Sequence, residues 1–233
     1  MRVLEIHYAV KEISVKYVDI LIRKTREKTN PVFSTHRRKK LNNTDFSIIS
    51  NNCWAGSVYR YFGLPYMSPT AGLYFFADDY IRFISRLHYY LSMHPVIVPA
   101  EQSKHYAELV TKHEEDVLVG KIEDVEIIFL HYHSAEEALT KWVRRSSRIN
   151  WNNLFIKFSQ MNNCSDEHIR DFDSIPFHNK ICFTAQDYPK YSSCIKFPGY
   201  EHSLQVENDT DRFNKCLNVI DWLNNVPEKY ILG

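Results

Sequence analysis

The chain has 233 residues, with 29 Lys and Arg against 28 Asp and Glu and a formal net charge of +1. Its 44% hydrophobic and 14% aromatic residues can bury a core, and only 6 Gly and 9 Pro exclude a fibrous or low-complexity chain. No apolar run approaches the ~18 residues of a membrane span, and a near-neutral charge removes the simplest case for a nucleic-acid binder.

From the N-terminus, Val10, Ile13, Tyr17, Ile20 and Leu21 recur at helical period, which predicts a helix from about residue 10 to 28. Asn30-Pro31 should end it, and residues 31–42 read as a basic linker. Residues 23–40 carry eight cations against Glu27, a net of +7, so residues 41–233 sum to −6. A basic arm, residues 1–43, thus precedes a mildly acidic body, residues 44–233, read as one domain.

In the body, Asp45–Ser50 reads as a short buried strand, Asn51-Asn52-Cys53 as a turn, and Trp54–Phe62 as a helix stopped by a Gly63 C-cap. Leu73–Phe76 is a second strand candidate, and Asp78-Asp79 should cap the next helix. Val96–Val98 and Val117–Val119 are short apolar runs around a polar helix at 102–113. Val125–Leu130 is the strongest strand, and Ser134 with Glu137 matches a capping box for a helix to about Ser147. Asn153–Phe158, Lys180–Phe183 and Cys194–Phe197 read as later strands, with helices at 165–172 and 211–224. Strands alternating with helices predict a three-layer α/β fold, with a largely parallel or mixed sheet and helices on both faces.

The five cysteines are odd in number and none is spaced CxxC, which points to a reduced compartment, the cytoplasm, and not to disulfides or zinc. The start, Met1–Glu5, has no apolar run of the kind a secretory signal carries.

Four places could carry chemistry. A strand running into a helix places Asn51, Asn52 and Cys53 at the carboxyl edge of the sheet, where α/β folds bind ligands. A helix N-terminus offers free amides and lowers a thiol pKa, so Cys53 is a candidate nucleophile; it is equally readable as a small buried hydrophobe. Asn51 and Asn52 can donate amides, Gly56 allows close approach, and Arg60 follows on the same helix. His131, after the strongest strand, is a candidate general base. His133 shares its face, but no third ligand makes a metal site. Lys141, Arg144, Arg145 and Arg148 fall on one helical stripe that could hold a diphosphate or could be an ordinary solvated face. Asp78 and Asp79 could hold a metal with a nucleotide sugar, but their spacing is DD and capping explains at least one; Asp79 remains a substrate-side candidate.

The words Phe46–Phe62, Gly63-Leu64-Pro65-Tyr66, Phe75–Tyr80, Phe129–Tyr132, Arg148–Trp151, Asn153–Phe158 and Lys180–Thr184 together resemble a bacterial family of capsule and exopolysaccharide loci, domain of unknown function 1919. The resemblance covers about residues 45–225 and leaves the basic arm outside. It implies an α/β fold and a role in exopolysaccharide biosynthesis, and it supplies no reaction. Asn52-Cys53-Trp54-Ala55-Gly56 is also similar in part to the GNCQ turn of capsule enzymes that look like coenzyme-A-dependent acyltransferases.

The expectation is a cytoplasmic transferase acting on a glycan precursor, lipid-linked in one version, with acyl-coenzyme A or a nucleotide sugar as donor. Cys53, His131 and Asn52 would react, and the cations would hold phosphate. The alternative is a non-catalytic assembly or scaffold protein of the same pathway. In either case residues 10–40 could meet an anionic membrane at its inner face. No nucleic acid is expected, and a glycan hydrolase would want a carboxylate pair that does not stand out.

Overall fold

The computed structural model describes Leu21, residues 24–25 and residues 28–226. Most of the helix expected at 10–28 lies outside the described residues. The expected stop at Asn30-Pro31 does not occur, because residues 28–38 are helical (α1). Proline is costly inside a helix, but here docking overrides the local rule. Arg37 donates to the Tyr61 carbonyl at 3.3 Å and lies 4.0 Å over the Tyr61 ring, and Arg38 donates to the Gly63 carbonyl at 3.0 Å. The basic linker is therefore, up to residue 38, a helix packed on the body.

A four-stranded parallel sheet in the order β1-β5-β6-β7 forms the centre, from β1 (Ser47–Ser50), β5 (Leu154–Ser159), β6 (Lys180–Thr184) and β7 (Cys194–Lys196). Side chains alternate across it. Phe155 and Phe183 meet Trp54 and Val58 of α2 (Trp54–Phe62) on one face, and Ile156 and Phe158 meet Ile169 and Phe172 of α7 (Asp166–Ser174) on the other. Helices thus cover both faces, as expected for an α/β fold.

The single expected sheet is two. The apolar runs β2 (Val96–Pro99), β3 (Leu118–Ile122) and β4 (Val125–Phe129) form a separate antiparallel sheet inserted between β1 and β5. The β3–β4 connection is a tight turn, Glu123-Asp124, which can only return antiparallel; parallel pairing needs a crossover of a dozen or more residues. Around this sheet lie α3 (Ala77–Ser85), α4 (Leu87–Leu91), α5 (Tyr106–Thr111) and α6 (Ala135–Ser146).

The strand expected at 73–76 is instead the tie between the sheets. Tyr74 exchanges backbone hydrogen bonds with Ile128 at 2.9 and 2.8 Å, and the Phe75 amide donates to Asn51 O at 2.9 Å. The expected last helix shrinks to a 3-10 turn at Phe213–Lys215 and α8 (Val219–Leu223). The Asp78 and Asp79 side chains do not cap α3; Asp78 pairs with Arg82 at 2.8 Å. Ser134 does cap α6, accepting from the Glu137 amide at 3.1 Å. Among the described residues no helix is long and apolar enough to cross a membrane.

Candidate functional site

Gly63 ends α2 with φ +62°, and a Cβ there would lie 2.8 Å from Ser34 Oγ on α1. One glycine therefore both stops α2 and lets α1 dock. The docked helix closes a cleft of about 520 Å3 along α2, lined by Ser57, Arg60, Tyr61, Tyr66, Thr210 and Asp211, with α1 as a further wall. A second hollow of about 680 Å3, between Arg86–Tyr89 and Pro176–Asn179, lies at the amino edge of the sheet, the edge α/β folds do not use for ligands.

Cys53, Ser57 and Arg60 follow one stripe of α2. Arg60 is exposed and leans back to donate to Ser57 Oγ at 3.2 Å. Its charge acts on both Cys53 and His131. The His131 amide donates to Gly72 O at 3.1 Å, so the turn after β4 reaches the Gly72-Leu73 segment that also covers Cys53. His131 is exposed, and partial desolvation first and the Arg60 charge second lower its pKa, which favours the neutral imidazole. Glu114 stands close enough to oppose that shift, and it accepts from Tyr74 Oη at 2.6 Å. Sequence reasoning brought neither Glu114 nor Tyr74 to this place, because the bridge and loop hydrogen bonds that do so join residues far apart in the chain.

Several expected roles change. The Cys53 thiol is not depressed: burial, with the Asp209 carboxylate, pushes it up to about 11, against the opposing pull of Arg60 and Lys157. The first amides of α2 are not free, since Trp54 N donates to Asn52 Oδ1 at 3.2 Å and Ala55 N to Ser50 Oγ at 3.3 Å. Asn51 is a clamp between strand ends, giving Nδ2 to Ser159 O and taking Ser159 N on Oδ1, both at 3.0 Å. Gly56 faces Ala71, whose Cβ would stand 3.5 Å from an added Cβ. Asp79 is fully buried and holds Lys104 at 2.5 Å and His105 at 2.6 Å, a tie between α3 and the residues leading into α5.

The cation stripe divides as well. Arg145 is buried and donates to Ala71 O and Tyr132 Oη, both at 2.7 Å; Lys141 pairs with Glu137. Arg144 and Arg148 alone stay exposed. Arg145 turns inward because it lies three residues after Trp142 on the buried side of α6.

Asn52 belongs to a buried charge cluster that sequence reasoning missed. Its Nδ2 donates to Asp209 Oδ1 at 2.9 Å, and Lys157 Nζ reaches Asn52 Oδ1 at 3.0 Å. Lys157 also pairs with Asp209, and Ser159 Oγ donates to that carboxylate at 2.5 Å. Lys157 and Asp209 are fully buried, and burial lowers the Lys157 pKa against the opposing pull of Asp209. A lysine inside the apolar run Leu154-Phe155-Ile156-Lys157-Phe158 was the available signal, because lysine is almost never fully buried unpaired. Among the described residues no group of three or more His, Cys, Asp or Glu is placed to hold a metal.

A Haemophilus influenzae protein (strain ATCC 51907 / DSM 11121 / KW20 / Rd), described as uncharacterized, is 34% identical over 169 residues, 72% of this chain and 76% of that protein. A family model matches residues 24–225, so the match takes in α1, which the sequence resemblance had left outside. The chain belongs to that family, described as Domain of unknown function (DUF1919).

Proposed function

We propose that the protein is a transferase of exopolysaccharide or capsular polysaccharide biosynthesis, acting on a glycan precursor with a phosphate-bearing donor. The observation that carries this reading is the cleft beside α2, which combines one exposed guanidinium, Arg60, with Ser57 and the rings of Tyr61 and Tyr66. Arg matches phosphate oxygens in a fork, and the two rings, each with one face under an arginine (Arg37 over Tyr61, Arg145 over Tyr66), leave the other for a sugar. Arg60 takes over the phosphate role first given to the α6 cations, two of which are tied up in structural contacts.

His131 is the group able to take a proton from an acceptor hydroxyl as that oxygen attacks the donor and the leaving group departs, a nucleoside diphosphate from a nucleotide sugar or the coenzyme A thiolate from an acyl donor. A thiol near 11 argues against a Cys53 thiolate and for direct transfer. The site of work in this reading is the cytoplasmic face of the membrane. The outer side of α1 exposes Lys28, Val32 and Phe33, with Lys39 just past its end, toward anionic lipid and a lipid-linked acceptor.

A nucleotide sugar or acyl-coenzyme A should raise the thermal midpoint of the full chain, and Arg60→Ala should abolish the rise. If neither donor class stabilises the unaltered protein, the transferase reading fails. The raised thiol and the occupied α2 amides favour a second reading, a non-catalytic assembly factor. Under it, Arg60→Ala with His131→Ala would still restore polysaccharide to a deletion strain.

A further inference from the structure

The first helix after β1 packs on one face of the parallel sheet and the first after β5 on the other. β1 and β5 are neighbours, so a topological switch point lies between their carboxyl ends, the place where open α/β sheets bind ligands. In this protein that crevice is filled. Three donors converge there: Lys157 Nζ and Ser159 Oγ from β5, and Asn52 Nδ2 from the turn after β1. All three act on one carboxylate, that of Asp209, which does not belong to the sheet.

Asp209 arrives on a strap of irregular backbone, residues 198–212, that crosses the end of β5. The Val206 amide donates to Gln160 O at 2.8 Å, and Val206 and Asp209 are buried while Leu204, Gln205 and Glu207 are exposed. Trp54 neighbours the crevice. Trp54 is fully buried, its ring lies 5.7 Å from Lys157 Nζ, and its indole N–H has no acceptor among the described residues. Buried indole N–H groups normally find one.

We propose that the crevice is a binding site for the carboxylate group of a ligand, and that Asp209 is an internal stand-in that occupies it when the strap is down. Lys157 supplies the charge, Ser159 and Asn52 the directed hydrogen bonds, and the strap withdraws when an external carboxylate takes the place of Asp209. No bond is made or broken in the exchange. The inference uses neither Arg60 nor a phosphate donor, but the strap also carries Thr210 and Asp211 of the cleft wall, so the acetate test is read on the unaltered chain without any cleft ligand.

A tethered competitor presents itself at an effective concentration near millimolar, so a free carboxylate binds the unaltered protein weakly and gains once the tether is cut. The probe is acetate, with chloride at equal ionic strength as control. In the unaltered full chain, acetate should speed hydrogen exchange of residues 205–212, and chloride should not. In Asp209→Ala, acetate should raise the thermal midpoint with an apparent affinity about tenfold or more better than in the unaltered chain. Adding Lys157→Met should remove that response. Equal exchange of 205–212 in acetate and chloride overturns the proposal, whether or not the variants fold. So does a folded Asp209→Ala that ignores acetate, or a stronger response to inorganic phosphate than to acetate.

Discussion

Cys53 shows how a residue can sit where its chemistry is expected and still be tuned against it. It stands at the start of α2, but Leu73 and Gly72 cover it, and the Asp209 charge lies behind it. Deprotonation of a thiol raised from 9.0 to about 11 is deferred, so the folded chain holds about a hundredfold less thiolate near neutral pH than an unperturbed thiol would. Alkylation of the Cys53 peptide by iodoacetamide, followed by mass spectrometry, should therefore be slow at pH 7–8 and climb toward pH 11. The sign is that of a raised acid: the unfolded thiol ionises first, so this residue costs the fold stability as pH rises from 9 toward 11. Fast labelling at neutral pH would sink this account and revive Cys53 as a nucleophile. The position of Cys53 was legible in the strand–turn–helix pattern. Its environment was not, because Asp209 lies on an irregular segment with no periodicity to betray its partner.

Among the elements, α6 divides a single cationic stripe between two environments. The stripe Lys141, Arg144, Arg145, Arg148 is real, but the helix rolls it so that Arg145 faces inward, onto the loop that covers α2. Replacing Arg145 by Met should cost about 1.5–3 kcal/mol, as for a buried charged group losing two hydrogen bonds. Arg144→Ala with Arg148→Ala should stay within about 0.5 kcal/mol, as for exposed positions away from such contacts. Urea titration of the three variants checks both, and equal effects would contradict the division of the stripe. The helix caps at Gly63 and Ser134 were legible because capping is local. The tie at Tyr74 was not, because its partner Ile128 is far along the chain and the run Leu73–Phe76 looks like any short strand.

For the molecule as a whole, the alternation of strands and helices identified the α/β class, while the division into two sheets needed the pairing partners. The net charge of +1 likewise concealed a basic arm that turns out to be, in part, a docked helix. Its inner side is committed to Tyr61 and Gly63, and its outer side carries exposed Val32 and Phe33 among lysines. Val32→Ser with Phe33→Ser should reduce co-sedimentation with vesicles rich in anionic phospholipid severalfold and leave thermal stability nearly unchanged. Unaltered protein that ignores such vesicles would remove the membrane from the proposed function.

The clamp between Asn51 and Ser159 joins positions 108 apart in the chain. The antiparallel insertion and the β5–β6 pair close shorter loops. β1 must wait until the whole insertion has brought its neighbour back. Loop-closure entropy alone sets that wait at about 4 kcal/mol before any contact returns it. The strand leading into the Asn52–Asp209 crevice and the start of α2 is therefore expected to join late, at the slower rates of long-range parallel pairing. On that order, the pieces of the candidate site meet last.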